Sequence, residues 1–401
     1  MMSVRQKMTL VQKLKSTAVV ATFSTGAFVG INIYKGSDKF YDNLLMPFIH
    51  LFDPESCHRM AVFACKYRLF PREKQSDPNS LSVKFFGHVL SNPLGVAAGL
   101  DKHAEAVVGL NDIGFGFVEI GSVTPLPQDG NPKPRVFRLS EDKAIINRYG
   151  FNSVGHEEVY RRIQAIRKSS EGTGTVIGVN LGKNKESTDN SKDYVLGVER
   201  FAPIADYLVI NVSSPNTPGL RNLQHQSQLR QLLSNVIEKR NAVTASGYPY
   251  VPILLKLAPD LTDDELNQIA KVIQQKGSVV DGVIISNTTV DRPFSLMNDN
   301  RKEIGGLSGA PLTDRSTELI RRMYQLTGGN VPIVGVGGIF SGKDAYDKIL
   351  AGASVVQIYS SFIYHGPPVV AKIKKELNGL LKENGYRNVA DAVGKGTRKM
   401  K

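Results

Sequence analysis

The hydrophobic residues of this chain fall into eight short runs from residue 94 onward. The runs contain no polar alternation, which is typical of strands buried on both faces of a parallel sheet. Helical patterns separate most of them, at His156–Lys168, Ser227–Ala242, Asp263–Lys276, Thr313–Leu326 and Gly342–Ala351. The predicted strands are Leu94–Ala98, Phe117–Gly121, Thr175–Asn180, Tyr207–Asn211, Ile253–Leu257, Gly282–Ser286, Ile333–Val336 and Val355–Tyr359. Eight strand–helix units without a linker predict one α/β domain, a TIM (β/α)8 barrel over residues 80–390.

The N-terminal segment has a different pattern. Residues 1–15 are basic and contain no acid, the composition of a mitochondrial targeting segment. Residues 16–34 carry no charge, and a helix of that length covers about 28 Å, close to the hydrocarbon thickness of a bilayer. A secretory signal peptide is the alternative, but no A-x-A-like cleavage site follows. We therefore expect a targeting segment and a single transmembrane helix that anchors the chain.

Residues 38–74 predict two short amphipathic helices that meet at Asp53-Pro54. Asp53 suits the N-cap of the second helix, and Pro54 suits its first turn. Such a pair could simply pack on the barrel. Directly after a membrane anchor, the pattern favours a helical hairpin that lies in the bilayer surface and shelters an apolar ligand arriving from the lipid.

The net charge of +13 includes five basic residues in the first 37 positions, so subtracting five leaves +8 on the rest. That remainder contains no basic run or arginine–aromatic array, and we predict no nucleic-acid partner. The two cysteines, Cys57 and Cys65, provide neither a disulfide framework nor a metal-ligand cluster. Residues 391–401 are interpreted as a basic tail, and the part from Lys395 onward is expected to be disordered.

Small and uncharged polar residues follow the predicted strands, where a TIM barrel places its chemistry. They predict a cavity for a large, polar, planar ligand. Together with two lysines, the residues at these ends are Ala97, Ala98, Gly99, Lys102, Gly121, Ser122, Asn180, Asn211, Ser214, Lys256, Ser286, Asn287, Thr288, Gly337, Gly338, Tyr359 and Ser360.

Two of these features indicate a flavin mononucleotide (FMN) cofactor. Lys256 lies inside the apolar run ILLKLAP, where an unpaired ammonium is costly unless it faces negative charge, such as that of a reduced flavin. A side chain that reaches over the barrel end to water is the alternative. Residues 333–342 resemble a dinucleotide loop, but no acidic residue follows about 20 positions later on a second strand. Glycines after strand 7, with a turn over residues 305–312 at the same corner, fit a monophosphate better.

The segment LVINVSSPNTPG, residues 208–219, contains no histidine or cysteine, which excludes an ordinary hydrolytic triad. Beside a flavin, oxidation of a C–C bond needs a base that removes a proton, and Ser214 can do so through a water relay. Asn147, Asn216 and Asn287 can hold a ligand with amide N–H and C=O edges. Lys102 can hold its carboxylate.

A family resemblance rests on several of these motifs. The chain closely resembles the membrane-bound, quinone-using class of dihydroorotate dehydrogenases in order from about residue 38 to residue 385. The stretches that carry it are AAGLDKHAEA, NRYGFNS, GVNLGKNK, NVSSPNTPGLRNLQ, KLAPDL, ISNTTV, GGLSGAPL, GVGGIFSG and VQIYSSFIYHGP. The soluble classes of the family carry cysteine where this chain has Ser214, so the serine indicates the class.

The resemblance implies a ping-pong oxidation of dihydroorotate to orotate in pyrimidine biosynthesis, with hydride transfer to FMN N5 and Ser214 as the base. It places Thr217 and Phe151 in the proton relay, with Lys102 also at the reacting centre. The implied substrate contacts are Lys102, Asn147, Arg148, Tyr149, Gly150, Phe151, Asn211, Ser214, Asn216, Asn287 and Thr288. The implied FMN contacts are Ala97, Ala98, Gly99, Ser122, Asn180, Asn211, Lys256, Ser286, Ser308, Gly309, Gly337, Gly338, Tyr359 and Ser360.

The same resemblance implies a second substrate and a location. Ubiquinone would enter through the hairpin near His58, Arg138 and Tyr359. The hairpin departs from the vertebrate pattern around Ile49 and His50, where glutamine is usual. The mitochondrial members imply contact with inner-membrane lipid and a catalytic domain that faces the intermembrane space.

Two other functions compete with this interpretation. A dihydrouridine synthase acting on RNA would use the positive charge, but it should have a cysteine acid and an added RNA-binding domain. A catalytically inactive, membrane-tethered flavin-binding protein would hold a chromophore that dihydroorotate does not bleach.

Overall fold

The computed structural model describes residues 8–73, 75–172 and 174–397. The strands are β1 (Val83–Phe85), β2 (His88–Leu90), β3 (Leu94–Val96), β4 (Phe117–Val123), β5 (Val136–Leu139), β6 (Ala144–Asn147), β7 (Ile177–Leu181), β8 (Tyr207–Asn211), β9 (Ile253–Leu257), β10 (Gly282–Ile285), β11 (Gly306–Gly309), β12 (Ile333–Val336) and β13 (Val355–Ile358). The α-helices are α1 (Leu10–Lys35), α2 (Asp38–Phe40), α3 (Met46–Ile49), α4 (Pro54–Lys66), α5 (Val107–Ile113), α6 (Gly155–Lys168), α7 (Lys192–Phe201), α8 (Gln226–Ala245), α9 (Asp263–Val272), α10 (Thr313–Leu326), α11 (Gly342–Ala351), α12 (Ser360–His365), α13 (Pro368–Glu383) and α14 (Val389–Ala392).

Eight parallel strands close into a barrel in the order β3-β4-β7-β8-β9-β10-β12-β13. This closure confirms the predicted TIM fold, and each predicted strand overlaps one of the eight. The barrel strands are almost entirely buried because helices cover them outside and side chains fill them inside. The β1–β2 hairpin closes the amino end, where Phe85 packs against Phe117 and Tyr207.

A three-stranded antiparallel sheet, in the order β11-β6-β5, was not predicted. Gly306 pairs with Asn147 and Gly309 with Ala144. The segment over residues 305–312, expected to be a flexible turn, is therefore a strand followed by one turn of 3-10 helix. This sheet joins the segment after β4 to the segment after β10, and both contribute to the site described below.

Helix α1 contains 26 residues and covers about 39 Å. It starts before the uncharged run because Thr9 and Gln12 form a capping box, and it ends where Gly36 adopts φ +61°. It is the one helix among the described residues with the length and composition to cross a membrane, and none of its residues is buried. Residues 1–7 of the predicted targeting segment lie outside the described residues.

The hairpin forms as two helical segments. Residues 38–49 make one continuous helical stretch with a π-helical centre, and α4 follows. Asp53 caps α4 by accepting a hydrogen bond from the Ser56 amide at 2.8 Å, as predicted. The hairpin leaves a row of large apolar side chains exposed: Leu44, Phe48, Leu51, Phe52, Met60, Phe63, Tyr67 and Leu69.

The C-terminal segment is more ordered than expected. Val389 and Ala392 are buried on α14, and the Gly394 amide donates to the Ile349 carbonyl of α11 at 3.0 Å. Residues 395–397 then form a 3-10 turn. The structure therefore differs from the predicted disordered tail as far as Thr397, and residues 398–401 lie outside the described part.

Candidate active site

A cavity of about 1110 Å³, counting its mouth, opens at the carboxyl ends of the barrel strands. It lies where the sequence analysis expected it, and most of the predicted site residues line it. Those residues are Ala97, Ala98, Gly99, Lys102, Ser122, Asn147, Tyr149, Gly150, Phe151, Asn211, Ser214, Asn216, Lys256, Ser286, Asn287, Thr288, Ser308, Gly309, Gly337, Gly338, Tyr359 and Ser360.

Three predicted ligand contacts lie outside this lining. Asn180 is fully buried beneath it, where its Oδ1 accepts from the Ser122 hydroxyl and from Asn211 Nδ2 at 3.1 Å. Arg148 points away and donates to Glu303 Oε2 at 2.6 Å. Thr217 lines a separate surface depression beside the loop. Asn180 thus orients two lining residues, whereas the Arg148 and Thr217 side chains need a rearrangement to meet a ligand.

Charge within the cavity is of one sign. Among the described lining residues, Lys102 and Lys256 are the two charged side chains, and no aspartate, glutamate, histidine or cysteine faces the space. A cavity whose two charged side chains are lysines, and whose other polar groups are uncharged, suits an anionic ligand. It also leaves Ser214 without a neighbouring side chain that could act as a stronger base.

Lys256 has a partner that sequence reasoning missed. Lys256 is 4% exposed, and its ammonium lies 3.5 Å from the carboxylate of Glu119, which is fully buried on β4. The alternative of a lysine that reaches water is therefore excluded. Glu119 also accepts hydrogen bonds from Asn180 at 2.8 Å and Gln357 at 2.7 Å. The sequence signal for this partner is Glu119 itself, the single acidic residue inside the apolar run FVEIGSV.

Ser214 is held among asparagines. Its Oγ accepts a hydrogen bond from the Asn216 amide at 3.3 Å, and Asn216 Nδ2 donates to Asn147 Oδ1 at 3.2 Å. Asn287 Nδ2 donates to Asn211 Oδ1 at 3.2 Å. These contacts join four amide side chains in two pairs, from the end of β6, the end of β8 with its loop, and the loop after β10, and all four line the same cavity as Ser214. The Ser214 hydroxyl proton has no acceptor in the contacts described.

Lys102 is a partly buried cation that forms no ion pair with the described residues. Its Nζ lies 4.3 Å from the centre of the Tyr149 ring. Burial lowers the pKa of Lys102 to about 8, and the nearby Arg135 lowers it further while Glu55 opposes the shift. A carboxylate bound against this ammonium would stabilise its protonated form and accept a hydrogen bond from it.

The hairpin packs behind one wall of this end of the cavity, where His58 contacts the lining residues Tyr149 and Tyr359. His58 of α4 bonds the Leu100 carbonyl through Nε2 at 2.7 Å and the Tyr149 hydroxyl through Nδ1 at 3.1 Å. Because a carbonyl only accepts, Nε2 carries the proton and Nδ1 accepts from Tyr149. Burial lowers the pKa of His58 to about 4, which keeps the ring neutral.

The other two predicted quinone-site residues lie near the same wall. The Tyr359 ring packs edge-on against His58 with centroids 6.2 Å apart. Arg138 donates to the His50 carbonyl at 2.7 Å, which places it under the opposite helix of the hairpin. The structure thus brings His58 and Tyr359 together, with Arg138 held to the hairpin backbone.

Unpartnered polar atoms indicate where a ligand binds. Thr288 Oγ1, Gln357 Oε1 and Ser361 Oγ are buried without a hydrogen-bond partner in the structure, and all three residues line the cavity. Buried polar atoms are rarely left unpaired. Thr288 follows β10, whereas Gln357 and Ser361 lie on and just after β13, and this spread over two strand ends fits an extended planar group with several polar edges, as a flavin has. Gln357 and Ser361 were absent from the predicted site.

A closed eight-stranded barrel with a cationic, acid-free cavity at its carboxyl end defines the class of TIM-barrel enzymes that bind an anionic cofactor or substrate. The model of the dihydroorotate dehydrogenase family matches residues 80–381. The chain belongs to this family and is an oxidoreductase.

Individual relatives agree along nearly the whole chain. The mouse protein "Dihydroorotate dehydrogenase (quinone), mitochondrial" is 55% identical over 363 residues, which are 90% of this chain and 91% of the relative. The Azorhizobium caulinodans protein "Dihydroorotate dehydrogenase (quinone)" is 48% identical over 88% of this chain and 98% of its own. The solved ligand-free structure of the Eimeria tenella enzyme has 43% identity and a TM-score of 0.82, and the match covers 86% of this chain and 100% of that one.

Proposed function

We propose that this protein oxidises dihydroorotate to orotate with FMN as its cofactor and ubiquinone as the final electron acceptor. One observation carries the proposal. A single cavity collects Ser214, Lys102 and three asparagines at one end and the glycine-rich strand ends at the other. The names of the relatives, which specify dihydroorotate and a quinone, agree with it.

The substrate end suits a small cyclic amide with one carboxylate. Lys102 would bind the carboxylate, because its partly buried ammonium forms no ion pair with the described residues and gains a charge-assisted hydrogen bond there. Asn147, Asn216 and Asn287 would bind the ring amides through side chains that are already held, the first two by each other and Asn287 by Asn211 and Ser213. Gly150 and Phe151, which both have positive φ, form the wall that covers this end.

Ser214 would remove the proton from the ring carbon. No stronger base lines the described cavity, so the proton must pass to a water or to the bulk through the loop that carries Thr217. When bound, FMN supplies the acceptor for the hydride that leaves the neighbouring carbon. In this oxidation the substrate loses one hydride and one proton and gains a C=C bond.

The cofactor end would hold FMN by residues already in place. Lys256 lies under the cavity floor beside Glu119, and Asn180, Ser122 and Asn211 form one hydrogen-bonded group. Ser308, Gly309, Gly337, Gly338 and Ser360 would take the phosphate.

Ubiquinone would approach through the hairpin. The exposed apolar row of the hairpin, followed by the contact between His58 and Tyr359, leads from the bilayer surface to the cavity.

Helix α1 would hold the protein in the mitochondrial inner membrane with the barrel in the intermembrane space. Protease protection in intact and outer-membrane-ruptured mitochondria tests that orientation, and protection of the barrel after rupture would refute it.

The central experiment follows the visible spectrum of the full-length protein in detergent without oxygen. We expect dihydroorotate to bleach a flavin band and a short-chain ubiquinone to restore it, whereas NAD and fumarate leave it bleached. Ser214→Ala should keep the flavin but slow bleaching by about 10²- to 10⁴-fold. Ser227→Ala, an exposed serine on α8, is the matched control.

A yellow wild-type protein that dihydroorotate never bleaches would favour the inactive flavin-binding alternative. A Ser214→Ala variant that bleaches at the wild-type rate would remove the serine from its role as base. A colourless protein would refute the cofactor itself.

A further inference from the structure

One buried cation behind the cavity has no part in the chemistry above. Lys348 lies on α11, and its side chain is fully buried. Its ammonium donates to Ser316 Oγ at 2.6 Å, Thr317 Oγ1 at 2.8 Å and the Thr313 carbonyl at 3.1 Å. All three partners are uncharged and belong to the first turns of α10. We call these three residues the lysine cage.

The lysine cage packs directly against the glycine end of the cavity. Ser316 Oγ lies 2.9 Å from the Gly337 carbonyl, and Thr313 Oγ1 donates to the Gly338 carbonyl at 2.8 Å. A Cβ added to Gly338 would lie 2.2 Å from Thr313 Oγ1, and one added to Gly337 would lie 3.0 Å from Ser316 Oγ. One layer of hydrogen bonds therefore separates the ammonium from the cavity lining.

This end of the cavity has no charged side chain of its own. The two charged lining residues of the described cavity are Lys102, which follows β3, and Lys256 on β9. Both strands are two positions away from β12 around the barrel, β3 beyond β13 and β9 beyond β10. The glycine end offers backbone N–H groups and the hydroxyls of Ser308, Ser360 and Ser361. A phosphate bound there would contact no positively charged side chain of the described lining.

A buried ammonium without a counter-ion is costly, and the fold needs a reason to keep it. Burial lowers the pKa of Lys348 to about 7, although Asp344, Asp314 and Asp347 act in the opposite direction. A dianion on the other side of the glycines would hold the lysine in its charged form. Lys348 lacks a counter-ion on one side of the lysine cage, and a bound phosphate would lack one on the other side. The two charges are therefore complementary.

We infer that Lys348 is a positioning residue that supplies the positive charge for the cofactor phosphate from behind the Gly337–Gly338 backbone, through the hydroxyls of the lysine cage. The inference rests on the proposed FMN cofactor and extends it to a residue outside the cavity. It predicts that Lys348 acts on the phosphate selectively and leaves recognition of the flavin ring to the other strand ends.

Exchange of the bound flavin separates this role from a structural one. The detergent-solubilised full chain is equilibrated with mixtures of FMN and riboflavin, which differ only in the phosphate, and the bound flavins are quantified after removal of free ligand. In Lys348→Met, the preference for FMN over riboflavin should fall by about tenfold or more. Lys343→Met, an exposed lysine on the same helix that pairs with Asp347, should retain the wild-type preference.

The outcomes are distinct. A preference in Lys348→Met within twofold of wild type would overturn the inference, since a structural role weakens both flavins equally. Lys348→Gln keeps an N–H donor without the charge and should show the same loss. If neither Lys348 variant folds while Lys343→Met does, the lysine serves the contact between α10 and α11, and the inference is wrong. A wild-type protein that contains no FMN would instead refute the proposed cofactor.

Discussion

Lys102 gives the sharpest test of the substrate end. Replacing it with methionine removes the ammonium that we propose binds the carboxylate, while keeping a side chain of similar length against Tyr149. A hydrogen bond to a charged group contributes about 1.5–3 kcal/mol. We therefore expect orotate to bind roughly 10- to 150-fold more weakly to the variant. Exposed Lys185→Met should bind as wild type does.

The pH dependence of binding provides an independent measure. Lys102 has a pKa of about 8 in the free protein, and a bound carboxylate raises it. Orotate affinity should thus be constant below pH 8 and fall toward tenfold per pH unit above it, because the neutral lysine must first take up a proton. His58 and His103, with pKa values lowered to about 4, do not titrate in this range.

The assay is a spectral titration of the oxidised protein with orotate from pH 6 to pH 10. Lys102→Met should lose both the affinity and the fall above pH 8. A variant that binds orotate as tightly as wild type, or keeps the same pH profile, would show that another group holds the carboxylate.

Three further predictions concern the fold. Gly178→Ala should lower the free energy of unfolding by about 1–3 kcal/mol, measured with urea, because the added Cβ would lie 2.0 Å from the Tyr207 ring; Gly26→Ala, with nothing within 4 Å, is its control. Glu55→Gln should cost about 3–5 kcal/mol by the same measurement, since it leaves Arg135 buried without its ion pair, and an unchanged value would show that water solvates this site. Deletion of residues 1–37 should abolish carbonate-resistant membrane attachment yet leave the flavin spectrum and its bleaching intact, and a deletion variant that stays carbonate-resistant would show that α1 is not the anchor.

The regular part of the fold follows from local pattern. Helices α10 and α11 match their predicted bounds to the residue, and α11 begins with a capping box between Ser341 and Asp344. The barrel strands also carry a predominantly apolar signal, interrupted by polar residues such as Glu119, Lys256 and Gln357. In each case the information lies within a few neighbouring residues.

The antiparallel sheet over the site has no such local signal. Its strands contain four residues each, and the pairing of Asn147 with Gly306 joins positions far apart in the chain. That pairing explains why the flexible turn expected at residues 305–312 is a strand. The non-proline cis peptide bonds before Ser122 and Ser286 likewise leave no trace in the sequence.

The ends of the predicted strands located many of the residues that line the cavity. Strand ends identify residues near the cavity, but they do not tell which way a side chain turns, and Arg148 turns away to Glu303. Burial of a charge inside an apolar run predicted the importance of Lys256. The same reasoning applied to FVEIGSV would have found Glu119.

The hairpin contacts determine where the independent folding unit begins. The family match starts at residue 80, yet the buried Arg135 forms its ion pair with Glu55, and Tyr149 bonds His58. A chain cut at residue 80 would leave a guanidinium without its counter-charge and open the wall behind Lys102 to water. We therefore expect the hairpin and barrel to unfold together, and separation of the hairpin from the barrel to disrupt the substrate end.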